Sequence, residues 1–230
     1  MQKLSPEKQY LVSKETLIPF LLQYGFPDFS FAVIPEGIEN TSVRIASEGK
    51  QYVLRIYRRG NKSDEEILFE LAFSNYLRSN GISVPSVQRN LQGKELTILG
   101  KDPIRFQAIL MDFVEGSSST AYTPQLIDEL STLQARMHLL GIAFAQIHPK
   151  GTEWKRLRLQ RVPLVDTDKQ STELQGFIRR MTSFSSPLIP GLPYGYNHRD
   201  LDLDGNVIVK ENHINAIIDF EDIKYSPVVD

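Results

Sequence analysis

Near its C-terminal end the chain reads Asn197-His198-Arg199-Asp200-Leu201-Asp202-Leu203-Asp204-Gly205-Asn206-Val207, and thirteen residues beyond Asn206 it reads Asp219-Phe220-Glu221-Asp222. A carboxylate, an amide and a second carboxylate in this order supply what phosphoryl transfer asks of a protein. One group aligns the attacking hydroxyl, and hard oxygen ligands hold the metal that neutralises the phosphates. Asp200 takes the first role; Asn206 and Asp219 take the second, as magnesium ligands. Between them lie two apolar runs, Val207-Ile208-Val209 and Ile214 to Ile218. Paired as a hairpin about Glu211-Asn212-His213, these runs return Asp219 to where Asn206 left. An ordinary acidic loop with an Asp-Gly-Asn turn holds the same residue types; the ordered run of His-Arg-Asp, Asn, strand, turn, strand and Asp sets this chain apart from one.

The same chemistry needs a cation on a sheet strand to touch the phosphates and a carboxylate on a neighbouring helix to hold that cation. Arg55 is a charge inside the otherwise apolar Val53-Leu54-Arg55-Ile56-Tyr57, a position that strand alternation alone would also place on a solvent face. Glu70 is its expected partner, because it interrupts the apolar stripe of a helix, with Glu66 one turn earlier on the same face. The segment Gly37 to Ser42, with Asn40 inside it, reads as a turn or as a polar loop over the phosphates. Met111 to Val114, including Phe113, is the expected hinge whose backbone meets the adenine of ATP.

These residues need elements to position them. Ser13 caps a first helix whose stripe is Leu17, Phe20 and Leu21, ended by Gly25. Ser42 to Ser47 and Gln51 to Tyr57 form a hairpin about Glu48-Gly49-Lys50, followed by an exposed loop over 58–62. Ser63 with Glu66 makes a capping box for a helix that runs to Gly81. Strands are expected at Ser86 to Gln88, Glu95 to Leu99 and Ile104 to Met111, giving an antiparallel sheet of about five strands carrying one main helix. The composition turns small and polar at Glu115-Gly116-Ser117-Ser118-Ser119. Beyond it come a long helix from Thr123-Pro124 to His148, another over Ser171 to Phe184, and the hairpin already named. The reading is α+β and two-lobed: a sheet lobe over 1–115 that binds nucleotide, and a mainly helical catalytic lobe over 116–230.

Composition narrows the alternatives. At 230 residues and 41% hydrophobic content the chain can bury a substantial core. Its 26 basic and 28 acidic side chains leave a net charge of -2, which offers no electrostatic case for nucleic acid or an anionic membrane surface. The absence of cysteine removes disulfides and thiolate chemistry. With a polar N-terminus and no apolar run of membrane-spanning length, the expected location is the cytoplasm. The basic run around Trp154 is read as a solvated loop, and His148 and His198 as packing and hydrogen-bonding residues. Oligomeric state is not legible.

In this order the parts resemble the aminoglycoside phosphotransferase and choline kinase superfamily, small-molecule kinases of protein-kinase-like fold. The segments that carry the resemblance are Gly37 to Asn40, Val53-Leu54-Arg55, Glu70-Leu71, Gly81 to Pro85, Phe113 to Gly116, Leu140-Gly141 through His148, and His198 to Asp219. It implies ATP, magnesium and transfer of the terminal phosphate to a hydroxyl of a small-molecule alcohol. Three departures stand out. Five residues separate Asp200 from Asn206 and three separate Asp202 from it, where the kinase pattern has four. Either the loop bulges and Asp200 serves, as the preceding His198-Arg199 favours, or Asp202 replaces it. Arg55 stands where protein kinases use lysine, and a guanidinium still clamps phosphate. The sequence also stops where the superfamily begins further helices, which leads us to expect a truncated or impaired protein; a nucleotide-binding pseudokinase is the alternative. A protein kinase fits less well, since Glu221 follows Asp219-Phe220 where such enzymes have glycine.

The acceptor is only partly legible. Over 117–197 there are six acidic and nine basic residues, a poor lining for a polycationic aminoglycoside, whose ammonium groups must be paired when desolvated. A neutral or anionic alcohol, an amino alcohol or a sugar fits that balance.

Overall fold

The structure, a computed structural model, describes residues 11–34, 40–101, 104–148 and 192–228. Helix α1 spans Lys14–Leu21, with Ser13 Oγ accepting from Thr16 N at 3.3 Å at its start. A 3-10 turn over Leu22–Tyr24 follows, and Gly25 at φ 79° ends it in the left-handed region that glycine adopts without strain. Strands β1 (Ser30–Ile34), β2 (Thr41–Ser47) and β3 (Lys50–Ile56) come next, then helix α2 (Asp64–Ser79), β4 (Thr97–Lys101) and β5 (Ile104–Asp112). The five strands form one antiparallel sheet in the order β1-β2-β3-β5-β4. Ser47 pairs with Lys50 across a two-residue loop, Glu48-Gly49, whose positive φ angles of 52° and 73° are those of the type I′ turn that matches strand twist.

Alternation along the strands gives this sheet two working faces. Val43, Ile45, Leu54, Ile56, Phe106, Ala108 and Leu110 turn to one side, where Leu17, Phe20 and Leu21 of α1 complete a buried cluster. Tyr57 and Ile109 turn to the other, against Ile67 and Leu71 of α2. Helix α2 begins with the expected capping box: Glu66 N donates to Ser63 Oγ at 3.2 Å and Ser63 N to Glu66 Oε2 at 2.8 Å.

Two strand expectations are corrected. Residues Ser86 to Gln88 make only an isolated bridge, Val87 to Met111, flanked by bonds from Gln88 N to Leu110 O at 2.7 Å and from Asp112 N to Ser86 O at 2.9 Å. They occupy the short stretch of β5 edge left after β4 stops pairing at Ala108, too little for a strand. The fifth strand is β1, from a segment the sequence reading left unassigned.

Further along lie helix α3 (Pro124–Ile147), β6 (Tyr194–Asn197), the hairpin β7 (Val207–Lys210) and β8 (His213–Ile217), a 3-10 turn over Phe220–Asp222, and β9 (Lys224–Pro227). The β7–β8 loop, Glu211-Asn212, is again a positive-φ pair, at 52° and 61°. The helix expected over Ser171 to Phe184 lies outside the described residues. Among those described, no helix is long and apolar enough to cross a membrane.

Packing divides the chain into two compact units. The first runs through Ala121 and includes Leu203 to Ile218; the second holds Tyr122 to Asp202 and Asp219 onward. By packing, the first unit runs through Ala121 and takes the β7–β8 hairpin with the large sheet. In the second unit, α3 lies directly on β6, which pairs antiparallel with β9. A Cβ on Gly141 would collide with Tyr196 O, and one on Gly195 would come within 2.7 Å of Ile142 N. Glycine at both positions lets helix and strand backbones meet.

Candidate functional site

In the first unit, Arg55 and Tyr57 leave β3 on the face that α2 covers. Arg55 is 7% exposed, and Glu70 of α2 is 5% exposed. Each Glu70 carboxylate oxygen has a partner: Tyr57 Oη donates to Oε1 at 3.1 Å, and Lys62 Nζ to Oε2 at 2.9 Å. The Arg55 guanidinium lies 5.4 Å from the centre of the Tyr57 ring, within reach of a cation–π contact. The structure therefore gathers buried Arg55, Tyr57 and Glu70 with half-buried Lys62 into one group. Lys62 corrects the exposed-loop reading of 58–62, because its side chain turns inward to Glu70. Its only sequence signal is its place just before the Ser63 cap, which aims it along the first turns of α2.

Asn206 ends the turn that leads into β7, and Ile218 N donates to Asn206 O at 3.0 Å at the far end of β8. The hairpin thus brings the chain back beside Asn206, and Asp219 is the next residue, at φ 63°. A non-glycine residue at positive φ is uncommon, and aspartate tolerates it better than most. The hairpin is fastened to the large sheet's own segments. Ser117 and Val209 exchange backbone bonds of 3.1 and 2.8 Å, Ile217 N donates to Ser83 O at 2.9 Å, and Asn215 Nδ2 to Glu115 O at 2.8 Å. Gly116, at φ 128°, lies so close to Val209 O that a Cβ would collide with it. Lys210 bonds Glu115 at 2.5 Å, which holds the Glu115 carboxyl below its ordinary range and raises the lysine.

Asp200 and Asp219 both belong to the second unit, on segments packed together. Asn197 pairs with Lys224 across β6–β9, and Asn197 Nδ2 donates to Ser226 Oγ at 2.9 Å. One residue on, His198 is buried and meets Phe220 edge-on, ring centres 4.9 Å apart. Asp200 follows His198 by two residues and Asp219 precedes Phe220 by one, so this ring contact ties their two loops together. Arg199 between them stands at φ 71°. Asp200 is exposed, Asp202 half-buried, and the next residue, Leu203, fully buried.

The expected nucleotide-edge residues have definite surroundings in the first unit. Asn40 is buried, and its Oδ1 accepts from Arg58 N at 3.0 Å. Met111 faces the α2 side of the sheet and pairs with Val53. Phe113 N donates to Gln51 O at 3.1 Å, and its ring lies 4.2 Å beneath the Arg44 guanidinium. Arg44, which the sequence reading did not single out, is held in turn by Gln51 Oε1, 2.7 Å from its Nε.

In the second unit Asp200 and Asp219 stand on loops joined by the His198–Phe220 contact; in the first, Asn206 opens the β7–β8 hairpin, and Arg55, Tyr57 and Glu70 lie buried between β3 and α2. Among the described residues no group of three or more His, Cys, Asp or Glu is placed to hold a metal ion. Amide and carboxylate oxygens are of the ligand type that magnesium takes alongside water and phosphate.

Residues 30–229 match the model of the phosphotransferase enzyme family. A homoserine kinase of Parvibaculum lavamentivorans is 28% identical over 222 residues, covering 91% of this chain and 64% of its own length. A homoserine kinase of Gluconobacter oxydans is 27% identical over 221 residues, covering 91% and 66%. The chain therefore spans about two thirds of the length of these curated relatives. Among solved structures, the amicoumacin kinase hAmiN in complex with AMP-PNP, Ca2+ and Ami aligns at a TM-score of 0.70 and 21% identity, over 98% of this chain and 69% of that one. A microcompartment-associated aminopropanol kinase aligns at 0.63 and 20% identity, over 92% and 70%. These likenesses establish the protein-kinase-like fold.

Proposed function

The chain belongs to the phosphotransferase enzyme family, and from that premise we propose that it transfers the terminal phosphate of ATP to a hydroxyl of a small molecule. The observation that carries the reading is the hairpin that returns the chain beside Asn206 and delivers Asp219 in the left-handed region. In this reading Asp200 aligns the acceptor hydroxyl and takes its proton as the new oxygen–phosphorus bond forms and the bond to the departing ADP breaks. Asn206 and Asp219 hold magnesium; when bound, the metal neutralises charge on the phosphates. Arg55, with Glu70 behind it, directs positive charge at the same phosphates, and the Met111 to Phe113 stretch borders the base, with Asn40 bracing the loop beside the phosphates. The kinases that this chain resembles favour transfer over a purely binding role.

For the acceptor we favour a small amino alcohol. The relatives are named as kinases of homoserine and aminopropanol, and the excess of basic over acidic residues in 117–197 argues against a polycation.

ADP release measured with Mg-ATP against a panel of homoserine, aminopropanol and aminoglycosides tests the proposal. Turnover with an alcohol is expected, and Asp200→Asn should lower kcat by at least about a hundredfold, the ordinary contribution of a positioned base, with an unchanged melting curve. Normal turnover in Asp200→Asn beside a dead Asp202→Asn would move the role to Asp202. No ADP release with any acceptor would overturn the reading.

A further inference from the structure

Cross-strand partners turn their side chains to the same face of a sheet. Arg44 of β2 pairs with Val53 of β3, and Val53 with Met111 of β5, so these three share the face that carries Arg55. Phe113 N bonds Gln51 O at 3.1 Å, one step past the Tyr52–Asp112 pair, which sets Phe113 on that face as well. Helix α2 covers one end of the face, over Tyr57 and Ile109. Toward the other end Arg44 is exposed, while Val53, Met111 and Phe113 are half-buried.

There the Arg44 side chain reaches across β3 and lays its guanidinium 4.2 Å from the centre of the Phe113 ring. Gln51 Oε1 accepts from both Nε, at 2.7 Å, and Nη2, and so fixes the guanidinium in place. Both partners are neutral. An exposed cation on an aromatic ring gains little, and a long side chain loses rotamer freedom when it is pinned. What the arrangement yields is a positioned plane: one face meets Phe113, in a residue otherwise exposed beside apolar Val53 and Met111. A planar, weakly hydrated guanidinium is a stacking surface for nucleic bases.

We propose that Arg44 is a further nucleotide-binding residue: held on Phe113 by Gln51, its guanidinium is the platform on which the purine base of the phosphate donor stacks. The inference rests on the reading of Met111 to Phe113 as the border of the base, and adds to it a side chain of β2. An arginine that only covered the end of the sheet would make the same contacts with Phe113 and Gln51, and one that served the phosphates would act by charge alone, so the test must separate plane from charge.

Mg-ATP affinity is measured by calorimetry on the full chain for wild type, Arg44→Met, Arg44→Lys and Arg44→Trp, each with a thermal melt. Arg44→Met keeps an apolar chain over Phe113 without the plane and should weaken binding by about tenfold, within the range of one base-stacking contact. Arg44→Lys keeps the charge without the plane and should lose about as much. Arg44→Trp restores a plane without the charge, at a strand position that suits an aromatic residue, and should stay within about threefold of wild type. Affinity kept by Arg44→Lys and lost by Arg44→Trp would assign the residue to phosphate charge and overturn the proposal, as would unchanged affinity in Arg44→Met or an equal loss in all three. Should Arg44→Met fail to fold, Gln51→Leu frees the guanidinium with Arg44 intact; it should weaken binding by about threefold, and unchanged affinity there would overturn the proposal too. Wild type failing to bind Mg-ATP at all would overturn the nucleotide reading itself, and the inference with it.

Discussion

Tyr24 is buried in the α1 cluster, with its hydroxyl 3.0 Å from Thr97 Oγ1. Burial raises its phenol above the ordinary 10.0, and the Thr97 hydrogen bond only partly opposes the shift. Burial raises Tyr52 and Tyr196 as well. The neutral phenol is the form the fold accepts, so the unfolded chain is the first to lose the proton as pH rises. The stabilisation is complete below the unfolded value and is lost as pH climbs through the folded one. Melting followed by circular dichroism should show a flat temperature midpoint between neutrality and about pH 9, then a decline beyond about pH 10. Tyr24→Phe should make that decline shallower. It should also cost about 1 kcal/mol at neutral pH, because the Thr97 hydroxyl loses a partner. An unchanged alkaline limb would show that Tyr24 does not titrate across the unfolding transition.

At the scale of elements, the α3–β6 contact makes a prediction against helix propensity. Gly141→Ala should favour helix by up to about 1 kcal/mol, yet the added methyl collides with the Tyr196 carbonyl. The collision is with backbone, so relief means moving a strand, and overpacking of that kind costs about 1–3 kcal/mol. We expect net destabilisation in urea unfolding, and the same from Gly195→Ala; a stabilised Gly141→Ala would show that the helix can slide away. These contacts also mark what a sequence can reveal. The Ser63 cap, the Leu17, Phe20 and Leu21 stripe and both turns were legible, because each is local chemistry written within a few residues. Gly141 stood out as part of a resemblance, but its partner Tyr196 is far along the chain, and nothing local announces a contact between backbones. Lys62 was hidden for a similar reason: a lysine in a polar loop reads as solvated until the fold turns it toward Glu70. Strand β1 escaped because Ser30 to Ile34 alternates weakly and pairs with a β2 that looked complete as half of a hairpin. The pairing of Asn197 with Ser226 was equally illegible, a single amide meeting a serine 29 residues further along the chain.

At the scale of the whole molecule, the first unit is discontinuous in sequence. Ser83, Glu115 and Ser117 give backbone or side-chain bonds to a hairpin that arrives only after the 122–202 part of the second unit. Expressed alone, residues 1–121 should be markedly less resistant to protease than the same residues in the full chain, and a synthetic peptide covering 203–218 added in trans should restore protection. Equal resistance with and without the peptide would show that the sheet does not depend on the hairpin. The arrangement also bears on synthesis. A ribosome delivers the five-stranded sheet early and the β7–β8 hairpin late, so the first unit waits, open along the 115–117 segment, until Ile218 has emerged. Docking of the hairpin is therefore a late step for this unit, and a chain halted before it would carry Ser83, Glu115 and Ser117 with their hairpin partners missing.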